Sequence, residues 1–157
     1  MLYVHEGVPK EISGLIVPKT QDYLAIVRKC GRGGSDGYGL CGPVSAAVSL
    51  GLQDAGADTL FIGGSYTMPP PCENAEPHIW FSLQYAGQEY SVDMTHRQTG
   101  SPDMVVVMPV VREAEMKLIR GKVLPVSQKT AKFYYRGHQE LMDGLYRLFG
   151  GQGTLTT

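Results

Sequence analysis

The stretch HIWFSLQYAGQEYSVDMT, residues 78–95, is the most informative part of the sequence for the fold and for the position of the candidate functional residues. The runs HIWFSLQY and QEYSVDMT, rich in aromatic and aliphatic residues, flank Ala86 and Gly87, a pattern that is typical of two strands joined by a two-residue turn. We therefore predict an antiparallel hairpin in which Tyr85 pairs with Gln88. Each residue of the first strand then pairs with the residue of the second strand that is equally far from the turn.

This register brings a histidine and an aspartate together. His78 begins the first strand, Asp93 ends the second, and Asp93 faces Trp80 across the hairpin. Because side chains on one face repeat every two residues, His78 and Trp80 share a face with Asp93 and Thr95. The carboxylate is then a diagonal neighbour of the imidazole. A carboxylate in that place holds an imidazole in the orientation that a general base needs.

A cysteine lies where a predicted helix begins. In YGLCGPVSAAVSLGLQDAG, residues 38–56, the apolar positions recur with the spacing of an amphipathic helix. We expect this helix over 42–55, with Pro43 in its first turn and Cys41 at its N-terminal edge. There the helix dipole favours a thiolate, and unpaired backbone N–H groups can stabilise an oxyanion.

The composition is that of an ordinary globular chain. Of its 157 residues 43% are hydrophobic and 18% are charged, and the formal net charge is -1. No surplus of charge points to a nucleic acid or a membrane surface as the partner. No apolar run approaches the ~20 residues of a membrane span, and the N-terminus MLYVHEGVPKEISG lacks the pattern of a secretory signal. We expect a cytoplasmic protein, with signal-independent export as an alternative.

The other segments complete an α+β pattern: a cysteine-bearing helix packed on a mostly antiparallel sheet. We expect one domain over 1–150 and a flexible tail over 151–157. Residues 22–30 fit either a short helix or a strand. The remaining predictions are strands over 59–67, 104–111 and 130–136, a short helix over 112–121, a final helix over 138–150, a glycine-rich loop over 30–39 and a proline-rich loop over 68–77.

The order cysteine, histidine, aspartate on these elements resembles the transglutaminase-like branch of the papain-like cysteine enzymes. The most specific part of the resemblance is H-x-W followed by V-D-x-T, spelled by His78, Trp80, Val92, Asp93 and Thr95. It covers roughly residues 38–96. The resemblance implies a papain/transglutaminase-like core in which Cys41 is the nucleophile, His78 the base and Asp93 the residue that orients the base.

The resemblance also implies a reaction: attack on an amide or acyl bond through a thioester, as in a peptidase, an amidase or a glutamine deamidase. With an amine in place of water as acceptor, the same site is a transglutaminase or an acyltransferase. The implied partner is a protein or peptide substrate, and no cofactor is implied. The residues expected to contact substrate are Tyr38, Gly39, Trp80 and Thr95.

Two hypotheses from other classes compete with an enzyme. One is a non-catalytic module of the same fold that holds a peptide in its proline-rich cleft. The other is a thiol-based metal or redox sensor, for which an odd set of three cysteines (Cys30, Cys41 and Cys72) is available. A zinc site from Cys41, Cys72, His78 and His96 lacks the C-x-x-C or H-x-x-x-H spacing, so we predict no metal. His96 and Arg97 are expected in a solvated loop.

Overall fold

The computed structural model describes residues 2–30, 39–67 and 75–155. Six strands form one sheet, in the order β1-β5-β4-β3-β2-β6. The β1–β5 pair is parallel, and the other pairs of described strands are antiparallel. In chain order the strands are β1 (Leu2–Val4), β2 (Asp58–Thr67), β3 (Ala75–Tyr85), β4 (Gln88–Asp93), β5 (Val105–Pro109) and β6 (Leu118–Pro125).

Five α-helices accompany this sheet in the described part of the chain, so the predicted α+β class is confirmed. They are α1 (Lys10–Ile16), α2 (Thr20–Cys30), α3 (Cys41–Asp54), α4 (Gln128–Tyr135) and α5 (Gln139–Leu148). The central helix α3 packs on β2 and β3, with α4 and α5 beside it and α2 against α5. Its residues from Gly42 to Leu52 are all buried, which places α3 in the middle of the fold.

The hairpin has the register that the sequence predicts. Tyr85 pairs with Gln88 and, further along the strands, Phe81 pairs with Val92. The two turn residues Ala86 and Gly87 have φ values of 52° and 78°. Positive φ at both positions is the geometry of a type I′ turn, which matches the twist of the two strands it joins.

The alternation of side chains along β3 divides the interior into two cores. Phe81 points to the side of α3 and belongs to the larger core between the sheet and the helices. Trp80 points to the opposite side, where it packs in a smaller core with Ile62, Val106 and Met108. The two short 3-10 turns between β5 and β6 cover this second core, with Met116 packed against it.

Two predictions for the second half of the chain are wrong. The helix expected over 112–121 is a pair of 3-10 turns followed by the start of β6. The strand expected over 130–136 is helix α4, whose N-cap Ser127 accepts a hydrogen bond from the backbone N–H of Thr130. Aromatic residues favour strands, but here Tyr134 packs on Phe61 from a helix, and this tertiary contact outweighs the local preference.

The chain end also differs from the prediction. Leu155 is 5% exposed and belongs to the larger core, and its backbone N–H donates to Asp143 Oδ1 at 3.0 Å. Gly151 and Leu155 are therefore buried against the fold, whereas residues 152–154 are exposed, and the predicted flexible tail is wrong for Leu155. Most of the glycine-rich loop predicted over 30–39 and of the proline-rich loop predicted over 68–77 lies outside the described residues. Residues 75–77 are described, and the loop prediction is wrong for them because they begin β3 and pair with β2. None of the described helices combines the length and the apolar character of a membrane span.

Candidate active site

The predicted contact between His78 and Asp93 is present. Nε2 of His78 donates to Oδ2 of Asp93 at 2.8 Å, and neither side chain is exposed to solvent. The second carboxylate oxygen, Oδ1, accepts the backbone N–H of Thr95 at 3.1 Å. The turn that follows β4 thus holds the carboxylate in position beside the imidazole.

A second histidine binds the same carboxylate. Nδ1 of His96 donates to Oδ2 of Asp93 at 2.8 Å, and the His96 side chain is 2% exposed. The prediction of a solvated loop is therefore wrong for His96. Its backbone enters a short 3-10 turn, His96–Thr99, and the Thr99 hydroxyl donates to the His96 carbonyl at 2.8 Å. The D-x-x-H spacing of Asp93 and His96 is the sequence pattern from which this contact could have been predicted.

The electrostatics of this cluster favour the charged pair. Burial by itself raises the pKa of the Asp93 carboxyl, but the charges and hydrogen bonds of His78 and His96 outweigh it and hold that pKa well below its usual range. Burial lowers the pKa of His78, whereas Asp93 raises it through charge and hydrogen bonding, and the net result is a pKa of about 10. At neutral pH the two groups are an imidazolium and a carboxylate.

Cys41 approaches the free side of the same imidazole. Its hydrogen bond and its charge raise the pKa of His78 further. Because Asp93 occupies Nε2, Nδ1 is the nitrogen left for the thiol. Nδ1 is buried and makes no hydrogen bond of ordinary geometry within the described ranges, so it is free to take up or release a proton. The thiol itself is free and only partly buried, so it is open to a reactant. The three predicted catalytic residues thus lie together.

The first turn of α3 is shaped to bring the thiol close to β3. The hydroxyl of Ser45, one turn after Cys41, donates to the backbone carbonyl of Ile79 at 3.3 Å. Gly42 lets the ring of Tyr134 pack on the backbone, since a Cβ at that position would lie 2.3 Å from Cε1 of Tyr134. Small side chains therefore set the distance between the helix and the residues it must meet.

The N-terminus of α3 leaves its positive end available to the thiol. The side chain of its N-cap residue, Leu40, makes no capping hydrogen bond in the part of the chain that the structure describes, and its first turn contains no acidic residue. The backbone N–H of Val44 donates to Leu40, while those of Cys41 and Gly42 come before any intrahelical partner. Two N–H groups and the helix dipole thus point toward the place where negative charge would develop on Cys41 or on an attacked carbonyl.

Aromatic rings enclose His78 on two sides. Trp80 stacks against it with ring centroids 5.8 Å apart, and Tyr66 meets it edge-on at 5.4 Å. Trp80 and Thr95 are both 0% exposed. Their predicted role as substrate contacts is therefore corrected: Trp80 is a wall that supports the imidazole, and Thr95 supports the carboxylate through its backbone.

A buried carboxylate from another part of the chain holds Trp80 in place. Glu113 Oε2 accepts the indole N–H of Trp80 at 2.9 Å and the hydroxyl of Ser91 at 2.5 Å. The guanidinium of Arg120 donates to both Glu113 oxygens, at 2.9 and 3.1 Å. This Glu113 cluster fixes the tryptophan whose ring lies on His78.

Helix α2 supplies one more support that the sequence did not indicate. The hydroxyl of Tyr23 donates to the backbone carbonyl of Met94 at 2.5 Å. Burial, and then the nearby charge of Asp93, raise the pKa of Tyr23, so it stays a neutral donor. The turn after Asp93 is therefore clamped from the helix side.

Other predicted residues have varied positions. Gly39 is exposed, with a φ of +79°, two residues before Cys41, and its role in substrate binding stays a prediction. Tyr38 and Cys72 lie outside the described residues, so the zinc site that would use Cys72 is not tested. Cys30 ends α2, where burial and Glu140 raise its pKa. Over residues 2–30, 39–67 and 75–155, no group of three or more His, Cys, Asp or Glu side chains could hold a metal ion.

The site holds a thiol, an imidazole and a carboxylate in series, with helix N–H groups beside the thiol. No protein-family model, curated protein or solved structure matches the chain. Such an arrangement can pass a proton between a sulfur nucleophile and Nδ1 of His78 and can stabilise a charged oxygen.

Proposed function

We propose that the chain is a cysteine enzyme that breaks an amide or acyl bond through a thioester on Cys41. The observation that carries the proposal is His78, buried between the Asp93 carboxylate and the partly buried Cys41 thiol. A histidine with a structural role alone would not require a thiol beside its second ring nitrogen, Nδ1. The same contacts support the finer fold proposal, a papain/transglutaminase-like core with the nucleophile at the start of its central helix.

The first half-reaction would form the acyl-enzyme. The Cys41 sulfur attacks the carbonyl carbon, and the electron pair of the C=O bond moves to its oxygen, beside the N–H groups of Cys41 and Gly42. When the oxyanion collapses, the C–N bond breaks and the imidazolium of His78 gives its Nδ1 proton to the departing nitrogen. The products are a free amine and a thioester on Cys41.

The second half-reaction would return the enzyme to its starting state. Neutral His78 takes a proton from water, the water oxygen attacks the thioester carbon, and the C–S bond breaks. The acid leaves, while Cys41 and His78 are again a thiolate and an imidazolium. Asp93 stabilises the imidazolium in the steps where it forms. Water as acceptor gives a peptidase, an amidase or a deamidase, and an amine as acceptor gives a transferase.

The test is to trap the acyl-enzyme. The protein is incubated with short peptide thioesters and p-nitroanilides, quenched in acid, and analysed by intact and peptide mass spectrometry. We expect an acyl adduct on Cys41 that hydroxylamine removes. His78→Gln should accumulate less than about a hundredth of it. Cys41→Ala should form none, and Cys30→Ala, the matched control, should behave as wild type.

The same experiment separates hydrolysis from transfer. Adding glycine methyl ester or methylamine during turnover should leave a hydrolase producing acid, whereas a transferase would produce the new amide. If no reagent acylates Cys41 in the wild type, or if Cys30 is acylated equally fast, the proposed enzyme is wrong. A chain that then still binds peptides with Cys41→Ala in place would be the non-catalytic module.

A further inference from the structure

An apolar groove opens beside α3, between α4 and the edge of the sheet. It has a volume of about 600 Å³, within the range of small-ligand sites. Its apolar walls are Phe61 from β2, Leu124 and Pro125 from the end of β6, and Phe133 and Tyr134 from α4. Phe133 is 81% exposed, a large apolar surface that the folded chain leaves in water.

The groove and the candidate active site share one wall. The ring of Tyr134 lines the groove and also packs on Gly42, the residue after Cys41. Burial raises the pKa of Tyr134, and the charge of Cys41 raises it further, so the hydroxyl lies within electrostatic reach of the thiol. A substrate that presents its carbonyl to Cys41 must place a neighbouring group close to this groove.

A peptide fits this setting better than an isolated acyl chain. Strand β6 has β2 as its only neighbour among the described strands, so its outer edge offers backbone hydrogen bonds to an extended chain. Leu124 and Pro125 lie at the end of that edge and also line the groove. An extended peptide at the edge can therefore direct one side chain into the groove.

We propose that this groove is the specificity subsite of the enzyme and takes a large apolar or aromatic side chain of a peptide substrate, within one residue of the attacked carbonyl. The inference rests on the proposed cysteine chemistry and adds the substrate class to it. Phe133 and Thr130 are specificity residues: the first forms an outer wall, and the second lines the interior from the first turn of α4.

The test uses three acetylated dipeptide vinyl sulfones, with the sequences Gly-Gly, Phe-Gly and Gly-Phe before the reactive group. The second-order labelling rate of Cys41 is measured by peptide mass spectrometry, with Cys30 as the internal reference. We expect the faster phenylalanine probe to exceed the Gly-Gly probe by about tenfold or more. Phe133→Ser and Thr130→Trp should reduce this preference to below about threefold.

Matched controls keep the result specific to the groove. Val111 is as exposed as Phe133, at 81%, but it lies in a 3-10 turn and does not line the groove. Val111→Ser should therefore retain the full preference for the phenylalanine probe. The rate of Cys41 labelling by iodoacetamide is measured in every variant, and each probe rate is divided by it, so that a general change in thiol reactivity does not count as a lost preference.

The outcomes separate the two proposals. If Cys41 reacts faster than Cys30 in a His78-dependent manner but at one rate with all three probes, the subsite is wrong while the enzyme chemistry stands. If Cys41 never exceeds Cys30, both proposals fail. If Phe133→Ser leaves the preference intact and converts a dimer to a monomer in light scattering, the groove is instead an interface between copies of the chain.

Discussion

Asp93 and Glu113 are two carboxylates buried on the same side of β4, and they are neutralised by different kinds of partner. Asp93 accepts hydrogen bonds from the two imidazoles of His78 and His96. Glu113 accepts from a guanidinium, an indole and a hydroxyl. An imidazole can both donate and accept a proton in a reaction, whereas a guanidinium and an indole N–H act only as donors. We therefore expect the Asp93 cluster to take part in the proposed chemistry and the Glu113 cluster to hold the fold rigid.

Removing the charge of Asp93 should give the largest effect. Asp93→Asn keeps the shape of the side chain but no longer stabilises the imidazolium, so iodoacetamide labelling of Cys41 at pH 6 should slow about a hundredfold or more. The labelling rate of Cys30 is the internal control, and circular dichroism checks the fold. An unchanged Cys41 rate in a folded variant would show that Asp93 does not act on the thiol.

The equivalent change at Glu113 should act on stability instead. Glu113→Gln removes one of the two carboxylates that pair with the partly buried Arg120, and Glu89 remains as the other, so the free energy of unfolding in urea should fall by about 2 kcal/mol. Cys41 labelling should stay within about threefold of wild type. A loss of labelling at full stability would make the two clusters alike and the comparison wrong.

The stability of the protein should depend on pH through the Asp93 cluster. The pKa of His78 is raised to about 10 in the folded state, so its contribution is complete below about pH 6.5 and is lost as pH rises toward 10. The free energy of unfolding should fall by up to about 1.4 kcal/mol per pH unit across that range. Asp93, whose pKa is lowered, contributes above about pH 4 and loses its effect in acid.

Urea midpoints measured from pH 6 to 10 check this dependence. The alkaline decline should disappear in His78→Gln and persist in Glu113→Gln, which leaves the imidazoles untouched. A decline of equal slope in His78→Gln would assign it to another group and contradict the raised pKa of His78.

His96 should have a smaller effect as a positioning residue. His96→Leu removes one donor to Asp93 and should slow Cys41 labelling at pH 6 about tenfold. His96→Asn can place an amide N–H near the position of Nδ1, so it should restore the rate to within about threefold of wild type. If His96→Leu and His96→Asn lose the same rate with the same pH profile, His96 serves packing alone.

The smallest effect is expected where α3 meets β3. Ser45→Ala removes the hydrogen bond to the Ile79 carbonyl and should lower the free energy of unfolding by about 1 kcal/mol. Ser49→Ala is the matched control, because its hydroxyl bonds within α3 and not to the sheet. If Cys41 labelling slows in Ser45→Ala but not in Ser49→Ala, the bond to β3 also positions the thiol.

The part of the site that local rules determine could be predicted from the sequence. The Ala86-Gly87 turn specifies a register, the register specifies a face, and the face places Asp93 beside His78. The start of α3 follows from its apolar spacing and from Pro43, which put Cys41 at a helix end. Each of these inferences depends on residues that are neighbours in the sequence or across one hairpin.

The parts that the sequence did not predict depend on distant contacts. Helix α4 carries an aromatic run typical of strands, and its packing on Phe61 and Gly42 decides the outcome. His96 reaches Asp93 only because a 3-10 turn folds it back after β4. Glu113 and Trp80 are 33 residues apart in the sequence, so no local pattern predicts the hydrogen bond between them.

The proposed function requires that the buried His78–Asp93 pair activates the Cys41 thiol. Its most direct test is the iodoacetamide labelling rate of Cys41 and Cys30 from pH 5 to 9, in wild type and in His78→Gln. We expect the labelling rate of Cys41 at pH 6 to exceed that of Cys30 by at least about tenfold in the wild type, and we expect this difference to be lost in His78→Gln. Equal rates for the two cysteines, or an advantage that survives in His78→Gln, would contradict it.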